Sequence, residues 1–182
     1  MLTGTNEESP VIPTVGRNLI NFIRILLNFK IKVIKVEKKK IGLASDHAGF
    51  YLKGKIIEYL KSNGYEFRDY GSFTDESSDY PDFAHLLASA LMKGECEMGI
   101  TICGTGNGIN MTVNKHRGIR SALCWNEEIS RLARAHNDAN VCALPGRFLN
   151  EAEAILIVKT FLTTDFEGGR HARRIAKIPT RP

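Results

Sequence analysis

The sequence is poor in cysteine. Its 182 residues hold four, Cys96, Cys103, Cys124 and Cys142. No two of them form a CxxC pair, which excludes a disulfide scaffold and a zinc knuckle. A long apolar run is also missing, since no stretch reaches the roughly 18 residues of a spanning helix. Most of the chain lacks an excess of either charge. The formal net charge is +5. Residues 1–40 carry all of it, with eight Lys or Arg against three acids, and the remainder balances 17 against 17. A domain that grips nucleic acid through phosphates carries its excess on the folded part, so no nucleic-acid partner is expected. What is present is globular. The chain is 43% hydrophobic and 25% charged, enough for one domain with a real core and too apolar for disorder.

Residues 1–37 read as an N-terminal extension and residues 38–182 as the domain. The stretch "MLTGTNEESPVIPTVGRN" is polar and turn-rich; "LINFIRILLNFKIKVIKV" is apolar with interspersed Arg and Lys. Leu19, Ile23, Leu26 and Leu27 fall near one helical face, while Ile31, Val33 and Ile34 favour strand. Charges stud the apolar stretch and no small-residue cleavage site follows, which disfavours a secretory signal. A membrane-surface helix with a basic face stays open. The plainer expectation is an appendage outside the fold, or an untranslated leader. The next Met after Met1 is Met92, so an internal start would use another codon, with Val36 the obvious candidate.

From Lys38 the punctuation is regular. "KKIGLAS" predicts a strand. The following segment repeats Leu52, Ile56, Ile57 and Leu60 at helical spacing and stops at Gly64. "YEFRDYG" predicts a second strand, and residues 82–93 a helix ending at Gly94. "CEMGITICG" is nearly all apolar, as at the centre of a parallel sheet. "TGNGINMTVNKHRG" turns into a helix, and "IRSALCW", "NEEISRLARAHN", "NVCALPG" and "NEAEAILIVKTFLTT" add strand, helix, strand and helix. Residues 168–177 look helical. Strands alternating with helices predict an α/β fold: right-handed crossovers and a parallel sheet covered on both faces. Ligands then sit at the carboxyl ends of the strands.

Four constellations carry chemistry. In "ICGTGNGI" the glycines at 104, 106 and 108 follow a buried strand and open a helix, where backbone N–H groups converge on an anion. The spacing is not that of a dinucleotide fingerprint, and no Gly-Lys-Ser/Thr follows. Cys103, at the lip of this loop, has the surroundings of a reactive thiol, whereas Cys96, Cys124 and Cys142 read as core. Asp46 and His47 follow the first strand; Asp46 also suits a helix N-cap. His136 and Asn137 end the fourth helix, where a histidine also meets the helix dipole. In "GGRHARR", Arg170 and Arg174 share a helical face and can clamp a phosphate. His85 and His116 fall in helical stretches and suggest nothing. No His, Asp and Glu set shows metal spacing, so no metal is expected. All four parts are expected on loops at one edge of the sheet.

"ASDHAGFYLK", "SDYPDFA", "GITICGTGNGINMTVNK", "GIRSALCW", "ARAHNDANV" and "EGGRHARRI", in this order, closely resemble the ribose-5-phosphate isomerase B family, which also holds galactose-6-phosphate isomerase subunits. The resemblance covers about residues 39–178. It implies a Rossmann-like three-layer α/β/α sandwich with a five-stranded parallel sheet and a C-terminal helix packing on a dimer partner. It implies a cytoplasmic homodimer, sometimes paired into tetramers, with sites shared between subunits and no metal or organic cofactor. The implied reaction interconverts D-ribose 5-phosphate and D-ribulose 5-phosphate in the non-oxidative pentose phosphate pathway. By motif, Cys103 is the base that moves a proton between C2 and C1. Thr105 and the backbone of Gly104, Gly106, Asn107 and Gly108 stabilise the enediolate. His136, with Asp46 nearby, opens the furanose ring, and Asn137 binds sugar oxygens. His47, Arg147, Arg170 and Arg174 hold the phosphate, and Tyr80 lines the pocket. One branch of the family replaces the cysteine by a glutamate in the Gly-rich loop, where this chain has Ile109. Two other readings stay open: an isomerase of allose 6-phosphate or galactose 6-phosphate, and a phosphate-binding module without chemistry.

Overall fold

The structure, a computed structural model, describes residues 39–179. The readings of residues 1–37 lie outside the described residues. Five strands form one sheet: β1 (Ile41–Ser45), β2 (Phe67–Asp69), β3 (Met98–Cys103), β4 (Ser121–Leu123) and β5 (Val141–Pro145). Their order is β2-β1-β3-β5-β4 and every pair is parallel. Six α-helices connect and cover it: α1 (Phe50–Ser62), α2 (Tyr80–Met92), α3 (Asn107–Val113), α4 (Glu127–Asn137), α5 (Glu151–Thr163) and α6 (Arg170–Ile175).

The layers follow from strand alternation. Ile41, Leu43, Ile100, Ile102, Cys142 and Leu144 pack with Ile56 and Leu60 of α1, Ala133 of α4 and Ile157 and Phe161 of α5. Val141, Ala143 and Cys103 pack on the other face, with Ala84 and Ala88 of α2 and Ile109 and Val113 of α3. Successive side chains point to opposite faces, so a central strand buried on both is apolar throughout. β3 is buried at every position.

The edge strands are shorter than the sequence suggests. β2 and β4 have three residues each, because an edge strand pairs on one side only. Helix α2 begins at Tyr80, not at residue 82. Pro81 sits in its first turn, where a missing N–H costs nothing. His116 lies beyond the end of α3 rather than inside a helix. It meets His85 of α2, Nδ1 to Nε2, at 2.8 Å.

Candidate functional site

Strands β1 and β3 are neighbours, and the chain leaves them toward opposite sides of the sheet. That is the topological switch point of an open parallel sheet, where a crevice forms outside the carboxyl ends. The loops after Ser45 and Cys103 open into it. Asp46 caps the one-turn 3-10 helix His47–Gly49 by accepting from the Gly49 N–H at 3.1 Å. Its own N–H donates to the Ile102 carbonyl at 3.2 Å, which ties the loop to β3. Both readings of Asp46 therefore share one residue: it is a cap, and it stands at the crevice. The Ser78 N–H donates to His47 Nδ1 at 3.1 Å. Nδ1 also lies 3.2 Å from the Ser78 carbonyl, so the Ser78 backbone anchors the ring through Nδ1.

Cys103 ends β3, buried at the root of the Gly-rich loop. Its carbonyl accepts from Gly106 at 3.2 Å and from Gly146 at 2.9 Å, which folds the loop against the end of β5. Gly106 has a φ of +73°. A Cβ there would also meet Leu123 and stand 2.9 Å from the Leu144 carbonyl carbon, so only glycine fits. Tyr80 lies over Gly108; a Cβ at that position would come within 2.5 Å of the phenol ring. The Arg147 side chain runs along Gly104, and the Arg147 backbone N–H donates to the Gly104 carbonyl at 3.1 Å. Thr105 and Asn107 are exposed on the cradle, with the Thr105 hydroxyl accepting from the Asn107 N–H at 3.3 Å. Cys103, Asp46, His47, Tyr80, Arg147 and the cradle thus share the carboxyl edge.

His136, Asn137, Arg170 and Arg174 do not. The expectation of a single edge is corrected here. Helix α4 runs back from the carboxyl end of β4 to the start of β5, as any right-handed crossover must. Its last turn, with His136, therefore lies at the amino edge, beside the Gly99 end of β3. The Glu167 N–H donates to the Ala135 carbonyl at 3.0 Å, which brings α6 to the same place. The His136 and His171 rings stack with centroids 4.1 Å apart and planes 6° apart. Glu167 Oε2 lies 3.6 Å from His136 Nε2 and 3.9 Å from His171 Nε2. Helix α6 thus packs on α4 of its own chain.

Sequence reading missed this cluster. The ligand atoms of His136, Glu167 and His171 lie within 4.8 Å of one another, so a set with metal-capable spacing does exist. Its signal was the "EGGRH" run, in which Glu167 and His171 are four apart. Two features weigh against a dication. Parallel rings point their lone pairs side by side rather than at one point, and Arg170 and Arg174 both act on His171 as like charges. Burial, the largest cause, and then His136, Arg170 and Arg174 lower the His171 pKa.

A family model described as Ribose/Galactose Isomerase matches residues 41–178. The chain belongs to the ribose/galactose isomerase family. Ribose-5-phosphate isomerase B of Escherichia coli (strain K12) is 42% identical over 140 residues, 77% of this chain and 94% of that one. A probable ribose-5-phosphate isomerase B of Mycoplasma genitalium is 47% identical over 76% of this chain and 92% of its own. Among solved structures, the ribose 5-phosphate isomerase of Thermotoga maritima matches with a TM-score of 0.76 at 49% identity, covering 77% of this chain and 97% of that one. The Mycoplasma genitalium isomerase B with bound ribulose-5-phosphate matches with a TM-score of 0.74 at 47% identity, covering 76% and 93%. The family match spans both edges of the sheet, from β1 to the residues after α6.

Proposed function

We propose that this member of the family is an aldose–ketose isomerase that interconverts D-ribose 5-phosphate and D-ribulose 5-phosphate. The observation that carries the reading is Cys103 at the root of the glycine cradle, with Arg147 alongside. That puts a base, backbone N–H donors and a guanidinium around one crevice. The bound ribulose-5-phosphate of the Mycoplasma genitalium relative supports the substrate class.

His136 first opens the ring, a task for a group that both takes and gives a proton near neutral pH. Cys103, as thiolate, then removes the C2 proton of the open aldose. The electron pair forms the C1–C2 double bond, and the charge moves to O1 as an enediolate. Thr105 and the N–H groups of the cradle stabilise that oxyanion where it develops. A proton passes from O2 to O1, and return of the thiol proton to C1 gives the ketose. His47, Arg147, Arg170 and Arg174 hold the phosphate, Asn137 holds sugar oxygens, and Tyr80 closes the pocket over Gly108. Remote phosphate binding orients the reacting carbons.

One chain cannot bring Cys103 and His136 to one sugar, since they stand at opposite edges of the sheet. The reading therefore includes a homodimer in which the amino edge of one subunit meets the carboxyl edge of the other, with α6 lying against the partner. Four free cysteines among the described residues support a reducing cytoplasmic setting. No described helix is long and apolar enough to cross a membrane. The test is a panel of five- and six-carbon sugar phosphates with purified protein. The highest kcat/KM is expected with D-ribose 5-phosphate. Preference for allose 6-phosphate or galactose 6-phosphate overturns the substrate, and binding without turnover overturns the reaction.

A further inference from the structure

The mechanism above leaves one charged group at the amino edge without a task. The Glu167 carboxylate faces two imidazoles, at 3.6 Å from His136 Nε2 and 3.9 Å from His171 Nε2. The claims of the two rings are unequal. Arg170 Nε–H donates to His171 Nε2 at 3.4 Å. A guanidinium N–H only donates, so that ring nitrogen presents its lone pair and carries no proton. His171 is thereby a neutral ring with Nδ1–H. Glu167 has one imidazole N–H left to receive, at His136 Nε2.

The backbone holds the arrangement in place. The Glu167 N–H is bonded to the carbonyl of Ala135, the residue before His136, at 3.0 Å. The His171 N–H is bonded to the Gly168 carbonyl at 3.0 Å. His171 is buried, and its ring lies flat on that of His136. Stacking sets the plane of the His136 ring, and the carboxylate stands 3.6 Å from its Nε2. The other charges near the pair are Glu128 and Arg131 on α4, which are paired with each other, and Arg170 and Arg174 on α6.

We propose that Glu167 is the positioning residue for His136, holding Nε2–H toward its carboxylate and leaving Nδ1 bare for the sugar, with the His171 ring as the plate behind it. This rests on the reading of His136 as the ring-opening group. In that step Nδ1 takes the proton of the O1 hydroxyl and the O1 lone pair forms the C1=O1 bond. The C1–O4 bond breaks with its electrons on O4, and the imidazolium returns the proton to O4. Glu167 touches no substrate atom. It selects the tautomer and faces the transient imidazolium, as a carboxylate does behind a catalytic histidine.

Glu167→Gln removes the charge and keeps the size; Glu167→Asp keeps the charge. Two reactions of the full-length protein separate positioning from structure. The first is turnover of D-ribose 5-phosphate, a closed furanose. The second is deuterium exchange from D2O into C1 of D-ribulose 5-phosphate. That ketose cannot close a five-membered ring, because O5 carries the phosphate. Its exchange needs the enediolate but no ring opening. Glu167→Gln is expected to lower kcat for the aldose by about 10- to 100-fold, below the 10²–10⁴ of a whole acid–base group. KM and the exchange rate are expected to hold, and Glu167→Asp to recover part of the loss. Equal losses in both reactions make Glu167 structural and overturn the proposal, as does normal aldose turnover in Glu167→Gln. Nitrogen-15 NMR of the His136 ring, without substrate, reads the tautomer directly. The Nε2–H form is expected, changing to a mixture in Glu167→Gln. The same mixture in both proteins overturns the proposal whatever the activity. A held Nε2–H tautomer in a protein that isomerises no sugar phosphate supports the pairing and refutes the proposed function alone.

Discussion

The separation of Cys103 from His136 makes a quantitative case for a shared site. β3 spans the sheet from edge to edge with six residues, Met98–Cys103, or roughly 17 Å at about 3.3 Å per residue. Cys103 is its last residue, and His136 lies at the edge where it begins. Reacting groups must come within about 3–3.5 Å of the atoms they act on, and a five-carbon sugar bridges less than half of the gap. Two copies related by a twofold axis close it twice. Mixing two inactive proteins, Cys103→Ala and His136→Ala, under conditions that exchange subunits then has a defined outcome. Each mixed dimer has one site with both defects and one with neither. Half the dimers are mixed at equal input, so about one quarter of wild-type activity returns. Each parent alone loses about 10²–10⁴ in rate if its residue acts in proton transfer, so the background is near one percent or below. The assay is steady-state turnover of D-ribose 5-phosphate, with exchange shown by native mass spectrometry. A mixture that stays inactive after proven exchange refutes the shared site.

Arg174→Ala is expected to raise KM about tenfold or more, since a charge-assisted contact contributes about 1.5–3 kcal/mol. Its neighbour Arg173→Ala, on another face of α6, is the control; equal effects would show a general surface charge at work. Lys53 is buried in α1 and donates to Asp69 at 2.6 Å and to the Ser72 carbonyl at 2.7 Å. Lys53→Met strands both acceptors and is expected to lower stability by about 2–3 kcal/mol; an unchanged denaturant midpoint would refute that pairing. His116 and His171 both have lowered pKa values, from burial first and a neighbouring histidine second, with Arg170 and Arg174 adding to the effect on His171. A base with a lowered folded pKa binds fewer protons than the unfolded chain, so its stabilisation is present above the unfolded pKa and is lost as pH falls. Stability is expected to drop between about pH 7 and pH 5, and His116→Gln to reduce the drop; an unchanged drop removes His116 as a cause.

The carboxyl edge was largely legible from sequence. A buried strand ending in Cys103 and a run of alternating glycines point to a cradle, and the cradle is there. The layer order follows from the alternation of strand and helix. The amino edge was not legible. Placing His136, at the end of the fourth helix, on the same edge as the cradle ignored the direction of α4, which periodicity does not report. The Glu167, His136 and His171 cluster joins residues 31 and 35 positions apart, brought together by the backbone bond from Glu167 to Ala135 and by the stacked rings. Strand length at the edges was overestimated for a related cause. Local pattern describes what a segment can pair with, whereas β2 and β4 have a neighbour on one side only.

The pairing of arginines ties the two edges together. Arg68, Arg120, Arg131 and Arg134 each hold a carboxylate. Arg147, Arg170 and Arg174 hold none among the described residues, and neither do Arg117 and Arg173. Lack of a partner alone therefore marks no site. Position does: Arg147 lies on the glycine cradle, and Arg170 and Arg174 flank the stacked histidines. On the shared-site reading, one subunit alone offers the phosphate dianion His47 and a single guanidinium, that of Arg147. Joining the edges adds two more guanidiniums, each of which repels the others until the anion arrives. On the shared-site reading, substrate binding and subunit association thus favour one another. By linkage the sugar phosphate must tighten the dimer by the factor by which dimerisation tightens the sugar phosphate.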